Sequence, residues 1–517
     1  MTTRNGSISE EITDIGTTPL QTDIPLQSQL TDLESETADV QPLLNPDQFF
    51  KSQYHLKREL NARSSPILQL PPELLSRVFC IHVWDIVWDQ WTPQPRSPLI
   101  FGMVCSSWRK IAWSTPRLWS SIWVDLRRKV DPALVDQWLV RSGILPLSIY
   151  AFFYSSNPGL TAVAVLEIFT KYAERWYRVT FDIPLSFFDT FECVKGRLPT
   201  LQYLSLQVDE AEEERNTLDM FSIAPQLHAV HLEGGDTFSI TPQAVHLTGD
   251  FSVSLPTSQL STLHINNYFN KCLDALRLCP YVVDCVFNAD AALIDGLPPQ
   301  VSAPLLESLT INIFENSDVL ATIFDTLTIP AAYELICRGI DMLMKFPHTS
   351  FISLISRSSC SLQILSLEGF DITESDLTEC FRAVPLLREL SLYDIGITQD
   401  IFQMLHPGYP SNSHLSDILL PKLERFKYSG DIKIDPTVLT SFLKSRWDGS
   451  EAILVNGELQ SVAQFKSVRL CLKEFGEPDP HLLIQLKDLA KEGMEIMFKR
   501  YGRETNWDDD HTNLLSD

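Results

Sequence analysis

One short pattern of apolar positions returns through the middle of the chain: an aliphatic residue, two others, an aliphatic residue, one other and an apolar residue, usually with a proline two places ahead. It reads "LPTLQYLSL", "APQLHAVHL", "CPYVVDCVF", "APLLESLTI", "IPAAYELIC", "VPLLRELSL" and "LPKLERFKY". "SQLSTLHI" and "CSLQILSL" carry the pattern without the proline. The first apolar positions are Leu201, Leu227, Leu260, Val282, Leu306, Ala332, Leu362, Leu387 and Leu423, at intervals of 22 to 36 residues. The mean interval is about 28, within the roughly 20 to 29 residues of arrays that give one strand and one return segment per repeat. Alternation along each motif predicts a short strand with every second side chain inward. No single unit can bury its own apolar face, so stacked neighbours must share one continuous core.

The same reading extends the array at both ends. "LPLSIYAFF" and "WYRVTFDIP" are expected as opening strands, and "DPALVDQWLVRSG" as a helix with Asp131 before it and Gly143 after it. "FKSVRLCL" is expected as the last strand, and "DPHLLIQLKDLAKEGMEIMFKRYG" as an amphipathic helix that caps the open end.

Upstream the periodicity is helical and short. "NPDQFFKSQYHLKRELNARSS" suggests a lead-in helix. In "LPPELLSRVF", Pro71 and Pro72 pre-set a helix start and Glu73 suits its positive end. Leu74 and Val78 are four apart, as are Leu75 and Phe79, which places both pairs on one apolar side. A second helix is expected from Ser97 and Pro98, with Val104, Trp108 and Ile111 at spacings of four and three, and a third turn from Ser114 to Pro116. Eight of the eleven tryptophans fall between residues 84 and 138, a density that demands burial. A segment of about 60 residues is marginal alone, so it should lean on another domain or a partner chain. The expected division is 1–45 acidic tail, 46–63 lead-in helix, 64–125 helical domain, 126–476 repeat domain, and 477–517 capping helix with an acidic tail.

Charge and composition narrow the function classes. The 517 residues carry a formal charge of -25, which argues against general nucleic-acid binding. Nine acids against Arg4 in the first 50 residues predict a disordered Ser/Thr-rich tail. Ser64 to Asp125, with five bases and four acids, is almost neutral. No apolar run approaches the roughly 20 residues of a membrane span. The first residues lack a basic start and apolar block, so the expectation is an intracellular protein, cytoplasmic or nuclear. The ten cysteines are scattered without a Cys-x-x-Cys pair. Cys272, Cys279 and Cys285 are read as core fillers rather than metal ligands.

Enzymatic motifs are missing as well: there is no phosphate loop, Gly-x-Ser-x-Gly, His-Glu-x-x-His or EF-hand series. His228 and His231 fall on opposite faces of a strand and carry no expected metal or catalytic role. The carboxylates of Asp209–Arg215 and of "WDDD" are expected to be solvated. No cofactor or metal is expected.

Taken in order, Leu70, Pro71, Glu73, Leu74, Phe79, Val104, Cys105, Trp108, Arg109, Pro116, Leu118 and Trp119 resemble the pattern of an F-box. One departure is the stretch of twenty-four residues between Phe79 and Val104, longer than in the simplest F-boxes. With the repeats, the whole chain resembles F-box proteins with C-terminal leucine-rich repeats, a divergent fungal group among them. The resemblance implies an α/β fold class: a small all-α F-box domain, then an irregular leucine-rich-repeat solenoid. It also implies a substrate-recognition subunit of an SCF-type ubiquitin ligase, non-catalytic itself, with the F-box on the adaptor Skp1, a cullin beyond it and a target protein on the repeats. Leu70, Pro71, Leu74 and Leu75 are assigned to Skp1, with Val104 and Cys105 able to serve there or in packing. Val78, Phe79, Trp108, Ile111, Leu118 and Trp119 are assigned to the domain's own core. On periodicity alone, packing of the helix stripe within the helical domain is the favoured reading. A protein-binding scaffold that does not lead to ubiquitination is the alternative, and an enzyme hidden in the repeats is the least favoured.

Overall fold

The computed structural model describes residues 51, 53–57, 59–60, 66–84, 97–153, 161–208, 217–234, 238–241, 251–291, 298–314, 316–340, 343–395, 400–407, 418–430, 435–448, 453–455, 458–460, 462–472 and 480–500. The expected acidic tails, the insertion holding Trp88 and Trp91, and the carboxylates of Asp209–Arg215 lie outside these residues. The chain divides into two units, Met1–Trp119 and Ser120–Asp517.

The first unit is helical. The described positions of 51–60 are helical, as the lead-in pattern predicts, and a 3-10 turn occupies Pro66–Gln69. Helix α1 spans Pro72–Trp84. It starts because the Pro71 carbonyl accepts from the amides of Leu74 and Leu75 at 3.0 and 3.1 Å, while Pro72 needs no donor at the first helical position. The second expected helix is broken in two, α2 (Leu99–Val104) and α3 (Ser106–Trp113). Cys105 between them is extended, and its Sγ accepts from the Trp108 amide, so it acts as the cap of α3 instead of continuing α2. A 3-10 turn, Pro116–Trp119, closes the unit.

In the second unit fourteen strands form one sheet in chain order, every neighbouring pair parallel. They are β1 (Ser121–Asp125), β2 (Leu147–Phe152), β3 (Trp176–Asp182), β4 (Tyr203–Val208), β5 (Ala229–Gly234), β6 (Thr262–Tyr268) and β7 (Asp284–Asp290). The series continues with β8 (Ser308–Ile313), β9 (Glu334–Gly339), β10 (Ile364–Glu368), β11 (Glu389–Tyr393), β12 (Arg425–Gly430), β13 (Ser467–Leu472) and β14 (Glu495–Arg500). Each of the nine motif starts lies two residues before a strand, β4 to β12. One buried ladder therefore crosses the whole sheet, from Ile122 through Ile149, Val179 and Leu204 to Phe426, Val468 and Ile496.

Two strands depart from the expected division. β1 lies within 64–125, so its residues join the sheet rather than the helical domain. At the other end the expected capping segment stops being helical after Pro480–Lys491, here α4, because Gly493 adopts φ +108, and the alternating "EIMFKR" then adds β14.

Return segments place helices against the apolar face. Among them are Pro132–Arg141, capped by Asp131 as expected, Ser317–Thr326, His348–Ser358, Glu374–Ala383 and Pro436–Trp447. Their phenylalanines meet those of the strands and loops: Phe402 lies 6.1 Å from Phe426 and 5.5 Å from Phe442, edge-on or tilted. Arginines tie successive returns together. The Arg357 guanidinium donates to the carbonyls of Phe324 and Leu327, and the fully buried Arg446 donates to those of Leu405, Leu419 and Leu420. These cations satisfy carbonyls left open where the preceding helix or turn ends. Among the described residues no helix is long and apolar enough to cross a membrane.

Gly369, just after β10, has φ +72, and a Cβ there would stand 2.2 Å from the Gly339 carbonyl oxygen at the end of β9. Gly369→Ala is expected to cost at least about 1–3 kcal/mol, read as a lowered urea midpoint of the sheet unit.

Candidate functional site

Two surfaces concentrate the side chains singled out above. The first lies on the helical unit, where the helical period sorts the α1 positions into two stripes. Leu75 and Phe79, both 1% exposed, turn inward with Val83. Leu74, Val78 and Ile81 turn outward, at 51%, 47% and 56% exposure. Two expected assignments thus exchange. Leu75, assigned to partner contact, is core; Val78, assigned to core, is surface. The reason is the 100° step of the helix, which separates neighbours in sequence while Leu74 and Val78, four apart, stay together.

The inward stripe meets aromatic rings. Phe79 stacks on Phe101 at 4.0 Å and tilts against Trp108 at 4.9 Å. Trp113 meets Trp119 edge-on at 5.1 Å, and the Trp119 indole donates to the Ala112 carbonyl at 2.8 Å. Leu118 and Trp119 are buried as expected, whereas Trp108 and Ile111 are only part-buried. Leu70 and Pro71 are exposed, Cys105 is half-buried, and Val104 is exposed beside Leu99, Ile100 and Met103. These outward apolar side chains on so small a helical unit make it a candidate interaction surface.

The second surface is the polar face of the sheet, opposite the apolar ladders. Register brings equivalent repeat positions side by side, and a line of side chains results. Ser205 Oγ lies 3.3 Å from His231 Nδ1; the His231 and His264 rings stack at 4.0 Å and 15°; His264 Nε2 lies 3.4 Å from Asn288 Nδ2. Asn312 then donates to Asn288 Oδ1 at 2.6 Å, and Arg338 reaches Asn312 Oδ1 at 3.3 Å and Glu368 Oε2 at 3.1 Å. This chain crosses the seven strands β4 to β10.

His264 was not singled out from the sequence, although a signal was there: it stands four places after Leu260, as His231 stands four after Leu227. His228, just before β5, is exposed and contacts the Gln226 carbonyl instead. Asp284 and Ser308 begin β7 and β8. Gln202, His228, Ser261, Gln363 and Arg388 each sit one residue before their strands, where their carbonyls extend the ladder.

The two histidines of this face are weak bases. Burial lowers the His231 imidazole to about 4, and burial with His231 alongside lowers His264 to about 3, so both are neutral near pH 7. A base so weak does little for the neighbouring Ser205 hydroxyl. Cys272, Cys279 and Cys285 are buried thiols; burial pushes Cys279 up to about 12 and raises the other two as well. Among the described residues no group of three or more His, Cys, Asp or Glu side chains is placed to hold a metal ion.

A scan against protein-family models finds no match, and neither does a comparison with curated proteins.

The neutral histidines impose a pH dependence. An unfolded imidazole takes its proton near 6.5 and the folded ones only near 4 and 3, so the unfolded chain binds more protons as pH falls. Stability from this pair is complete above about pH 6.5 and is lost below it, at a limiting slope of about 1.4 kcal/mol per pH unit for each histidine. In His264→Gln the slope of unfolding free energy between about pH 6.5 and 5, above most carboxylate titration, should become shallower by up to about 1.4 kcal/mol per pH unit.

Proposed function

We propose that the chain is a non-catalytic substrate receptor of an SCF-type ubiquitin ligase. The helical unit, read as an F-box, docks on Skp1 and through it on a cullin, and the sheet unit, read as an irregular leucine-rich-repeat array, holds a target protein by its polar face. The observation that carries this reading is the outward apolar stripe of Leu70, Leu74 and Val78, joined by exposed Val104, within the residues that resemble an F-box. A stripe of this kind loses free energy in water until another apolar surface covers it.

A receptor needs no catalytic residue of its own. Its contribution is to raise the effective concentration of target lysines near a ubiquitin-charged enzyme. Neutral imidazoles, amides and paired charges on the sheet suit that task. They can exchange hydrogen bonds with a partner and remain solvated without one. Recovery of Skp1 together with cullin and a ubiquitinated client from cells supports the receptor. Skp1 without cullin supports the scaffold instead.

The stripe makes a sharper test. Leu70→Ala with Leu74→Ala should weaken the Skp1 complex by about 2–4 kcal/mol while circular dichroism of the chain stays unchanged. Leu75→Ala should act on stability instead, by about 2–5 kcal/mol. Equal Skp1 affinity in the folded double variant, measured by titration calorimetry, would overturn the docking assignment.

A further inference from the structure

The polar face changes character along the sheet. Over β11, β12 and β13 it gathers Arg388, Arg425, Lys427, Lys466 and Arg469 against two carboxylates, Glu389 and Glu424. Each carboxylate is shared by two cations. Arg425 Nε and Lys427 Nζ both reach Glu389 at 2.6 Å, while Glu424 is reached by Lys466 Nζ at 2.8 Å and by Arg388 Nη1 at 3.5 Å. The hydrogen bond and charge of Lys466 hold Glu424 below the ordinary carboxylate range. Burial alone would raise Glu389, but Lys427 and Arg425 outweigh it and lower it too.

The fifth cation is the informative one. Arg469 stands in register with Lys427, like charge facing like on adjacent strands, an arrangement that destabilises a sheet. Arg469 is half-buried and, among the described residues, forms no ion pair. The next carboxylate in register, Glu495 of β14, is opposite Ser467 rather than Arg469. Small side chains, Ser391, Ser429 and Ser467, occupy neighbouring places on this face. The result is a local excess of three positive charges in a chain whose formal charge is -25. With a screening length of about 8 Å at physiological salt, this neighbourhood, not the net charge, governs an anion that has arrived.

We infer that the polar face of β11–β13 takes an acidic segment of the target, an extended peptide whose carboxylates pair with Arg469 and Lys427 and share the cations now doubled on Glu389 and Glu424. The inference rests on the receptor reading, since it names the class of target segment that the sheet accepts. Planar guanidinium groups bind carboxylates through two parallel N–H donations, and Arg469 is free to do so. An incoming carboxylate would also relieve the repulsion between Arg469 and Lys427.

The test uses the full chain and a fluorescein-labelled deca-glutamate peptide, with deca-lysine and a Gly-Ser decapeptide as controls, followed by fluorescence anisotropy. The glutamate peptide should bind and the controls should not. Arg469→Glu, which reverses the charge at this place, should weaken binding at least tenfold, and Arg469→Gln should weaken it less. Unchanged affinity in both variants would overturn the inference. So would displacement by sulfate as readily as by unlabelled peptide, which would make this a small-anion site. Skp1 affinity measured on the same samples separates the two readings. Peptide binding without Skp1 binding sinks the receptor and keeps the charge site, and Skp1 binding without peptide binding does the reverse.

Discussion

The parallel register of the sheet is the constraint on which the rest of the molecule depends. Because every strand from β4 to β12 begins two residues after the first apolar position of its motif, a given place in the repeat becomes a line across the sheet rather than a point on one strand. Apolar places become continuous ladders, such as Leu309–Leu335–Leu365–Leu390, that no single repeat could bury alone. A one-residue slip at any strand would turn its leucines to the polar face, so the apolar ladder itself enforces the register.

The same constraint composes the polar face. His231 stacks on His264, and Asn288 bonds Asn312, because each pair holds one repeat position on adjacent strands. Lys427 is set against Arg469 for the same reason, while its Nζ turns to Glu389 on the strand at its other side. Local chemistry on the face is therefore written by composition at a fixed offset: amides and imidazoles over β5–β8, and cations over β11–β13. Since strands are about 4.8 Å apart, a partner lying across the sheet meets these zones in sequence.

Most of the sheet was legible because the repeat fixed both face and register. Twelve of the fourteen strands follow from motifs read in the sequence, and the two that do not, β1 and β14, lie at the ends, where the proline-led pattern is missing. "SSIWVDL" reads as a tail of tryptophan-rich helices, and only pairing with β2 makes it a strand. Within the helical unit, spacing gave the helix but not which stripe faced inward. Leu74 with Val78 and Leu75 with Phe79 have the same period, and the choice was made by rings from elsewhere, Phe101 and Trp108, which collect Phe79. The break at Cys105 was hidden too, since a cysteine cap carries none of the usual Ser, Thr, Asp or Asn signal.

The two surfaces differ in kind, and the difference bears on what each could hold. An outward row of Leu74, Val78 and Ile81 cannot be satisfied by water, so it suits a partner held for much of the protein's life. Part of the sheet face is engaged in its own lateral contacts, among them Ser205 with His231, Asn312 with Asn288 and Arg338 with Glu368. A partner there must exchange one set of polar contacts for another, with a small net gain per contact. Reversible capture follows from that chemistry, with selectivity set by charge placement rather than by buried area. On the proposed receptor reading, a persistent apolar dock and an exchangeable polar clamp are the two properties needed to remain on an adaptor while clients come and go.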